Sequence, residues 1–410
     1  MKFSFLLLLI LGLSIDALQA AYYETLPKGV RLLAYRRVQA ASVTAQFNET
    51  GQKQELGFRQ SLKSEDIKDI QGVDLYLEEL KALSPEAYSA LNLGRYEIEA
   101  KADVLVHGVG FAWGLSDRLT AFASLPIYKA RVDMNVTRTE GHNYNEVADL
   151  LAAASNKSDS ALLMEQLTRQ LPDASGPLLQ SVLVNQYGYK PIGNWNGQGM
   201  GDLTLAMLYR LTNWSEGGLA TSFGVNLPTG RIDDPDTLQD FGFGDGQTDV
   251  FLEFGGGVLM LDRKFELDTI IRYTYQIASD KTLRIPDSPS IPLSSEKGIF
   301  REKLGNQYEL RVQGKYHTSL WTNLILGYDY MKQQESRYES SFLAANDFLG
   351  QDSELSEHRA IAGVNLTSVE AFKNNKFPMP FNLNFTVLRT LSGTNTPELT
   401  RFDLELRLFF

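Results

Sequence analysis

The chain has 410 residues, no cysteine, and 39 Lys plus Arg against 50 Asp plus Glu, a net charge of −11. Without thiols there are no disulfides, thiolate metal sites, cysteine nucleophile or lipid-modified N-terminal cysteine. The excess of acid argues against nucleic-acid binding, which requires a basic surface to neutralise phosphate.

In chain order, the first element is an export signal. Lys2 precedes an apolar run from Phe3 to Leu13, followed by Ala17-Leu18-Gln19-Ala20-Ala21. A positive start, about ten apolar residues and a small-residue exit match a secretory signal peptide, with a core helix as the alternative. Cleavage is expected after Ala20, leaving 21–410 as the mature domain. The run is too short to cross a bilayer as a helix, and beyond Ala21 no stretch of 18 consecutive apolar residues appears, so helical spans are excluded.

Period-two alternation dominates the rest of the chain. Residues 98–107 set Ile98, Ala100, Ala102, Val104 and Val106 against Glu99, Lys101, Asp103 and His107. Residues 265–276 and 308–317 repeat the pattern, and Arg401–Phe410 shows it most clearly. Phe402, Leu404, Leu406, Leu408 and Phe410 occupy one face there, and Arg401, Asp403, Glu405 and Arg407 the other. A soluble sandwich would turn the ionic face to water, whereas a membrane barrel turns it to the lumen and the apolar face to lipid. Three features favour the barrel. Many segments exceed the ~5–6 residues of a soluble strand. Aromatic residues gather near segment ends, as at Trp113, Tyr273, Tyr275, Trp321, Tyr328 and Tyr330. Short connections alternate with long ones.

Strands are expected at about 29–43, 98–115, 117–135, 199–212, 218–231, 247–261, 264–279, 305–318, 320–338, 356–369, 379–392 and 398–410. That makes an all-β, antiparallel up-and-down transmembrane barrel of twelve strands, with fourteen as the alternative. Residues 53–62 are placed in the first external loop as a hairpin extension. Long loops cover about 44–97, 136–198, 232–246, 280–304 and 339–355. Helical periodicity marks 64–82 and 145–171, with Pro172 as a stop. These helices are either a lid over the mouth or an external decoration.

The expected lumen lining is Glu99, Lys101, Asp103, Arg210, Glu266, Asp268, Arg272, Glu309, Arg311, Lys315, Arg401, Asp403, Glu405 and Arg407. With both signs present, it is either a paired polar filling or a solute-selecting pore wall. Of the four histidines, His107 and His317 are expected on lumen faces and His142 and His358 near loops. With no Gly-x-Ser-x-Gly elbow and no His-Glu-x-x-His motif, no catalytic site or enzyme activity is expected. Asp233, Asp234, Asp236, Asp240, Asp245 and Asp249 form either a solvated acidic loop or a set of oxygen ligands for Ca²⁺, without the spacing of an EF-hand. The acidic loop is preferred, and neither metal nor cofactor is assigned.

Several motifs resemble the outer-membrane family assigned to transport in the phenol-degradation meta-cleavage pathway. They are Gly114-Leu115-Ser116-Asp117-Arg118-Leu119-Thr120 with Leu125-Pro126, Gly201-Asp202-Leu203 with Tyr209-Arg210-Leu211, Asn226-Leu227-Pro228-Thr229-Gly230, and Gly244-Asp245-Gly246-Gln247-Thr248-Asp249. The resemblance is best over about 110–280. It implies an outer-membrane barrel passing small hydrophobic or aromatic solutes passively, and the alternative is a surface-interaction barrel with a filled lumen. Outer-membrane lipids and the insertion machinery are the expected partners. The latter would read the terminal strand through Phe402, Leu404, Leu406, Leu408 and Phe410.

Overall fold

Alternate side chains leave a strand on opposite faces, and in the computed structural model this alternation runs round a closed wall. The structure describes residues 21–68, 73–154, 158–173, 175–286 and 294–410. The expected signal segment 1–20, and Ile70 of the expected helix, lie outside them. Twelve antiparallel strands make the barrel: β1 Arg31–Ala40, β2 Asn92–Ser116, β3 Leu119–Glu140, β4 Leu203–Trp214, β5 Gly217–Leu227, β6 Thr248–Met260, β7 Phe265–Ile277, β8 Gln307–His317, β9 Thr322–Gln333, β10 Leu355–Thr367, β11 Phe381–Thr394 and β12 Thr400–Phe409. Each pairs with its neighbours in sequence, and β12 returns to β1 with Phe409 opposite Leu32. Closure satisfies the backbone donors and acceptors of the wall within the wall, as a bilayer demands.

Large apolar side chains stand outward from successive strands: Leu33 and Tyr35 on β1, Val109, Phe111 and Trp113 on β2, Met207 and Tyr209 on β4, Phe223 on β5, Leu252 and Phe254 on β6, Leu324, Leu326 and Tyr328 on β9. A circumferential apolar surface of this extent is stable only against lipid. One rim carries the tight connections, such as Asp117–Arg118 between β2 and β3. The other carries the long ones; the exceptions are the short β11–β12 turn there and the β10–β11 connection at the tight rim, which holds the helix Val369–Lys373.

At the long-loop rim β2 and β3 outgrow their neighbours. The strand Gly57–Lys63 pairs with upper β2, as the expected hairpin extension, and Trp195–Met200 pairs with upper β3. The longer helices of the first two long loops, with one short partner, are α1 Asp74–Leu83, α2 Pro85–Ala90, α3 Tyr144–Ala153, α4 Asp159–Arg169 and α5 Gly176–Asn185. Ser84 caps α2 by accepting from the Ala87 N–H, with Pro85 in the first turn, the usual start signal. Ser158 does the same for α4 through the Ala161 N–H. The first four helices bury Leu77, Leu80, Tyr88, Tyr144, Val147, Leu151 and Met164 against one another. Leu62 of the Gly57–Lys63 strand and Leu93 of upper β2 pack against this core, and α5 follows the Pro172 stop as a helix the periodicity does not mark.

Candidate functional site

Arg36 fixes which faces point inward. Its guanidinium meets Asp403 at 2.5 Å with both side chains enclosed. Directly opposed residues on antiparallel strands share a face, and Arg36 lies opposite Glu405 on β12 and Gly108 on β2. Arg401, Asp403, Glu405 and Arg407 are therefore inside, while Phe402 and Leu404 are exposed on the outer wall and Leu406 and Leu408 share their face. Phe410 exchanges two backbone hydrogen bonds with Arg31 at the rim.

From Arg36 an ionic belt crosses half the lumen. Arg401 also reaches Asp403, at 2.9 Å. Arg359 lies 3.5 Å from Glu357 and 3.6 Å from Asp329, and Arg311 grips Asp329 with two nitrogens at 2.7 and 3.0 Å. Arg272 bridges Glu253 at 3.2 Å and Glu309 at 3.6 Å. Nearer the short-turn rim, Lys315 pairs with Glu266 at 2.9 Å and Arg407 with Glu405 at 2.8 Å, and Arg210 donates to the Asp117 carbonyl. Asp268 accepts the Tyr22 N–H at 3.2 Å. Guanidinium groups suit such an interior because they stay charged and bind carboxylates through paired donors. Arg36, Glu253, Asp329, Glu357 and Arg359, five members of the belt, were missed by strand-by-strand periodicity. Each follows from the register with a neighbour already known to face inward.

Glu99, Lys101, Asp103 and His107 depart from expectation and stand on the outer wall. Parity carried from Arg36 through Gly108 turns the even-numbered residues of β2 inward, so Ala100, Ala102, Val104 and Val106 are buried inside. The odd-numbered face carries Trp113, Phe111 and Val109 at membrane depth and becomes ionic only above it. The apolar side here faces in because something apolar fills the lumen.

Two segments do so. From the short-turn rim, residues 21–30 run up into the barrel before β1 begins. Lys28 donates its N–H to Asp117 at the rim, Leu26 to the Thr120 hydroxyl, and Thr25 its hydroxyl to the Asp117 carbonyl. Tyr22 and Tyr23 lie deepest, buried with Ala21 against Leu208 and Ala220. The Tyr22 hydroxyl donates to Glu253 at 3.1 Å. A Cβ at Gly255 would fall 2.8 Å from the Tyr22 ring, and one at Gly218 would run into the Tyr23 ring. Glycine at both places lets the rings lie on bare wall.

From the long-loop rim, the β5–β6 connection folds in rather than out. Phe241 and Phe243 pack against Val38, Ala100, Val104, Val106, Tyr128 and Ala130, with Tyr128 stacked on Phe243 at 5.2 Å. Arg231 lies over the Trp195 and Phe243 rings and pairs with Asp240 at 2.5 Å. At the loop's root Asp202 accepts the Gly230 N–H at 2.8 Å. Burial raises the Asp202 carboxyl above its ordinary range, and burial with the nearby Asp202 and Glu302 charges pushes Asp245 up to about 7. Asp233 pairs with Lys281, Asp234 with Lys190, and Asp236 with Arg284 and Lys297, so these are not a solvated set, while Asp249 accepts from the Asn226 amide at 3.4 Å.

One side of the lumen is thus ionic, and the other is built of Ala, Val and Gly covered by aromatic rings. Beside Tyr22, Glu253, Arg272 and Arg311 the belt borders a cavity of about 30 Å³. The histidines lie elsewhere. His107 and His358 accept or donate to the outward hydroxyls of Tyr35 and Tyr328 at 2.7 and 2.6 Å, His142 stacks on Tyr144, and His317 sits between Asn323 and Glu266. Among the described residues none is hydrogen-bonded to a Ser or Thr hydroxyl, the arrangement a serine or threonine nucleophile needs.

The chain superposes along most of its length on the crystal structure of an outer-membrane channel of the COG4313 group from Pseudomonas putida F1. The TM-score is 0.54 at 15% identity, covering 96% of this chain and 100% of that one. The fold is therefore that of an outer-membrane β-barrel. Weaker likenesses include a deltaS2S3 mutant of the monoaromatic hydrocarbon channel TodX (TM-score 0.37, 12% identity, 97% and 94% covered). The translocator domain of the autotransporter NalP from Neisseria meningitidis scores the same, with 11% identity and 94% and 89% covered. No protein-family model matches, and no curated protein does.

Proposed function

We propose that the protein is a passive outer-membrane channel for small hydrophobic or aromatic solutes, closed at rest by residues 21–30 from one side and by the β5–β6 loop from the other. The carrying observation is the two-faced lumen. A wall of Ala, Val and Gly occupied by Phe241, Phe243, Tyr22 and Tyr23 offers a solute ring the surface these rings already use, and a flat apolar molecule would take their place. The ionic belt keeps its pairs throughout, since a displaced plug leaves the charges compensated by one another. The passage needs no bond-breaking chemistry and no cofactor, and export through the signal segment would deliver the chain to the outer membrane.

A second reading, a barrel with a filled lumen serving structure or surface contacts, is favoured by the small cavity at the belt, which holds about one water. Uptake separates them. Proteoliposomes carrying the wild type and a variant lacking residues 21–24 are loaded and challenged with toluene, phenol and glucose. Faster entry of the aromatic compounds in the variant supports the channel. Equal, unmeasurable entry in both supports the filled barrel.

A further inference from the structure

The outer wall of β1–β3 carries a feature that the lumen does not explain. The odd-numbered face of β2 is apolar through Trp113, Phe111 and Val109. On the adjoining strands the next outward positions are cationic: Arg37 on β1, then Lys129 and Arg131 on β3, all exposed. Register puts Arg37 opposite His107 and His107 opposite Ile127, one outward step below Lys129. Lys129 is ten residues beyond Leu119 on β3, on the order of 33 Å along the strand, or about 25 Å of depth at a tilt of about 40°. That is the height of the apolar band of such barrels, so these cations stand where acyl chains end and headgroups begin.

The wall there is also recessed. A hollow of about 600 Å³ opens outward over β1–β3 and Trp195–Met200, lined by Gln39, Asp103, Lys129, Arg131, Asn196 and Gln198. Its acids are engaged: Asp103 accepts from Ser42 at 2.5 Å and Asp133 from Arg131 at 2.8 Å. Arg37 donates to the Gln39 amide oxygen at 3.0 Å, and among the described residues no carboxylate pairs with Arg37 or Lys129. Two unpaired cations at the membrane edge, with amide side chains between them, match a headgroup bearing both phosphate and hydroxyl groups.

We infer that this recess is a binding site for the phosphorylated sugar headgroup of a glycolipid in the surrounding leaflet, with Lys129 in its lining and Arg37 beside it, on Gln39, holding phosphate. The acyl chains would lie along Val109, Phe111, Ile127 and Leu404. The inference depends on the membrane setting of the barrel and not on whether its lumen conducts.

Native mass spectrometry of the full barrel in detergent tests it, with a hexa-acylated glucosamine disaccharide lipid carrying two phosphates as probe and the same lipid dephosphorylated as control. The wild type should form a one-to-one adduct with the phosphorylated lipid and bind the dephosphorylated one at least tenfold less. R37E/K129E, or R37Q/K129Q should the charge reversal not fold, should lose the adduct to the same extent. K332E, an exposed outward lysine on β9, should not. Equal binding of both lipids, an undiminished adduct on the folded double variant, or an equal loss in K332E would overturn the assignment.

Discussion

The Tyr22 hydroxyl donates to the Glu253 carboxylate at 3.1 Å, inside the barrel and beside the Arg272 guanidinium that Glu253 also binds. This joins the segment ahead of β1 to the ionic belt and makes one side chain the tip of the inner closure. Tyr22→Phe removes a single hydrogen bond to a charged acceptor, worth about 1.5–3 kcal/mol. Tyr22→Ala also removes the buried ring. Phe should increase the open fraction in single-channel recordings slightly and Ala strongly, with the barrel's heat-modified gel migration unchanged in both.

The belt should behave as a network. Arg359 holds Glu357 and Asp329 together, so Arg359→Ala leaves two enclosed carboxylates short of a partner. Breaking such a buried set costs about 3–5 kcal/mol. Urea unfolding of the refolded protein, followed by tryptophan fluorescence, should show a loss of that order for Arg359→Ala. The exposed Arg389, replaced in the same way, should cost about 1 kcal/mol or less.

The outer closure should respond to pH. Asp245 and Asp202 both hold a proton more tightly when the β5–β6 loop is docked, Asp245 up to about 7. A carboxyl raised on docking binds more protons docked than free, so the docked state loses stability as pH rises from the ordinary carboxyl range through about 7. The change is a few kcal/mol at most. Protease cleavage within residues 232–246 should be slow at pH 5 and faster at pH 8. Asp245→Asn should show a smaller difference between the two, what remains coming from Asp202.

Room at the loop's root is a separate requirement. A Cβ at Gly230 would lie 2.8 Å from the Gly244 backbone and 2.9 Å from the Asp202 carboxylate, so Gly230→Ala must push the loop away from its seat. The barrel strands are untouched by this change. Tryptophan fluorescence should report a wetter Trp195, which packs on Phe241 at 5.1 Å, while circular dichroism of the strands stays the same.

The terminal strand's place in assembly is distinct from its place in the wall. Phe410 is largely exposed but exchanges backbone bonds with Arg31 at 2.7 and 2.9 Å. Deleting Phe410 should lower the amount of folded protein in outer membranes at least severalfold if the insertion machinery reads it. Refolding into detergent in vitro should be nearly unaffected, since two hydrogen bonds at an open rim contribute little.

The twelve strands were legible because lipid on one side and charge on the other leave an unbroken alternation, as in β12. The inversion on β2 was not, because Ala100 to Val106 alternate with ions as cleanly as a lipid face does. Side-chain size carried the missing signal: the large residues Val109, Phe111 and Trp113 hold odd positions, and an unbroken strand keeps that parity past His107. Residues 21–30 have no period to read, and their docking is written in glycines of β5 and β6, far away in sequence. Phe241 and Phe243, flanked by glycines in an acidic loop, were the one local hint that the loop turns inward.

Conductance in planar bilayers tests the central claim most directly. The wild type should be closed or open only briefly, and Tyr22→Ala or removal of residues 21–24 should give sustained steps that toluene partially blocks. A variant lacking the segment, fully folded and inserted yet as silent as the wild type, would contradict a gated channel.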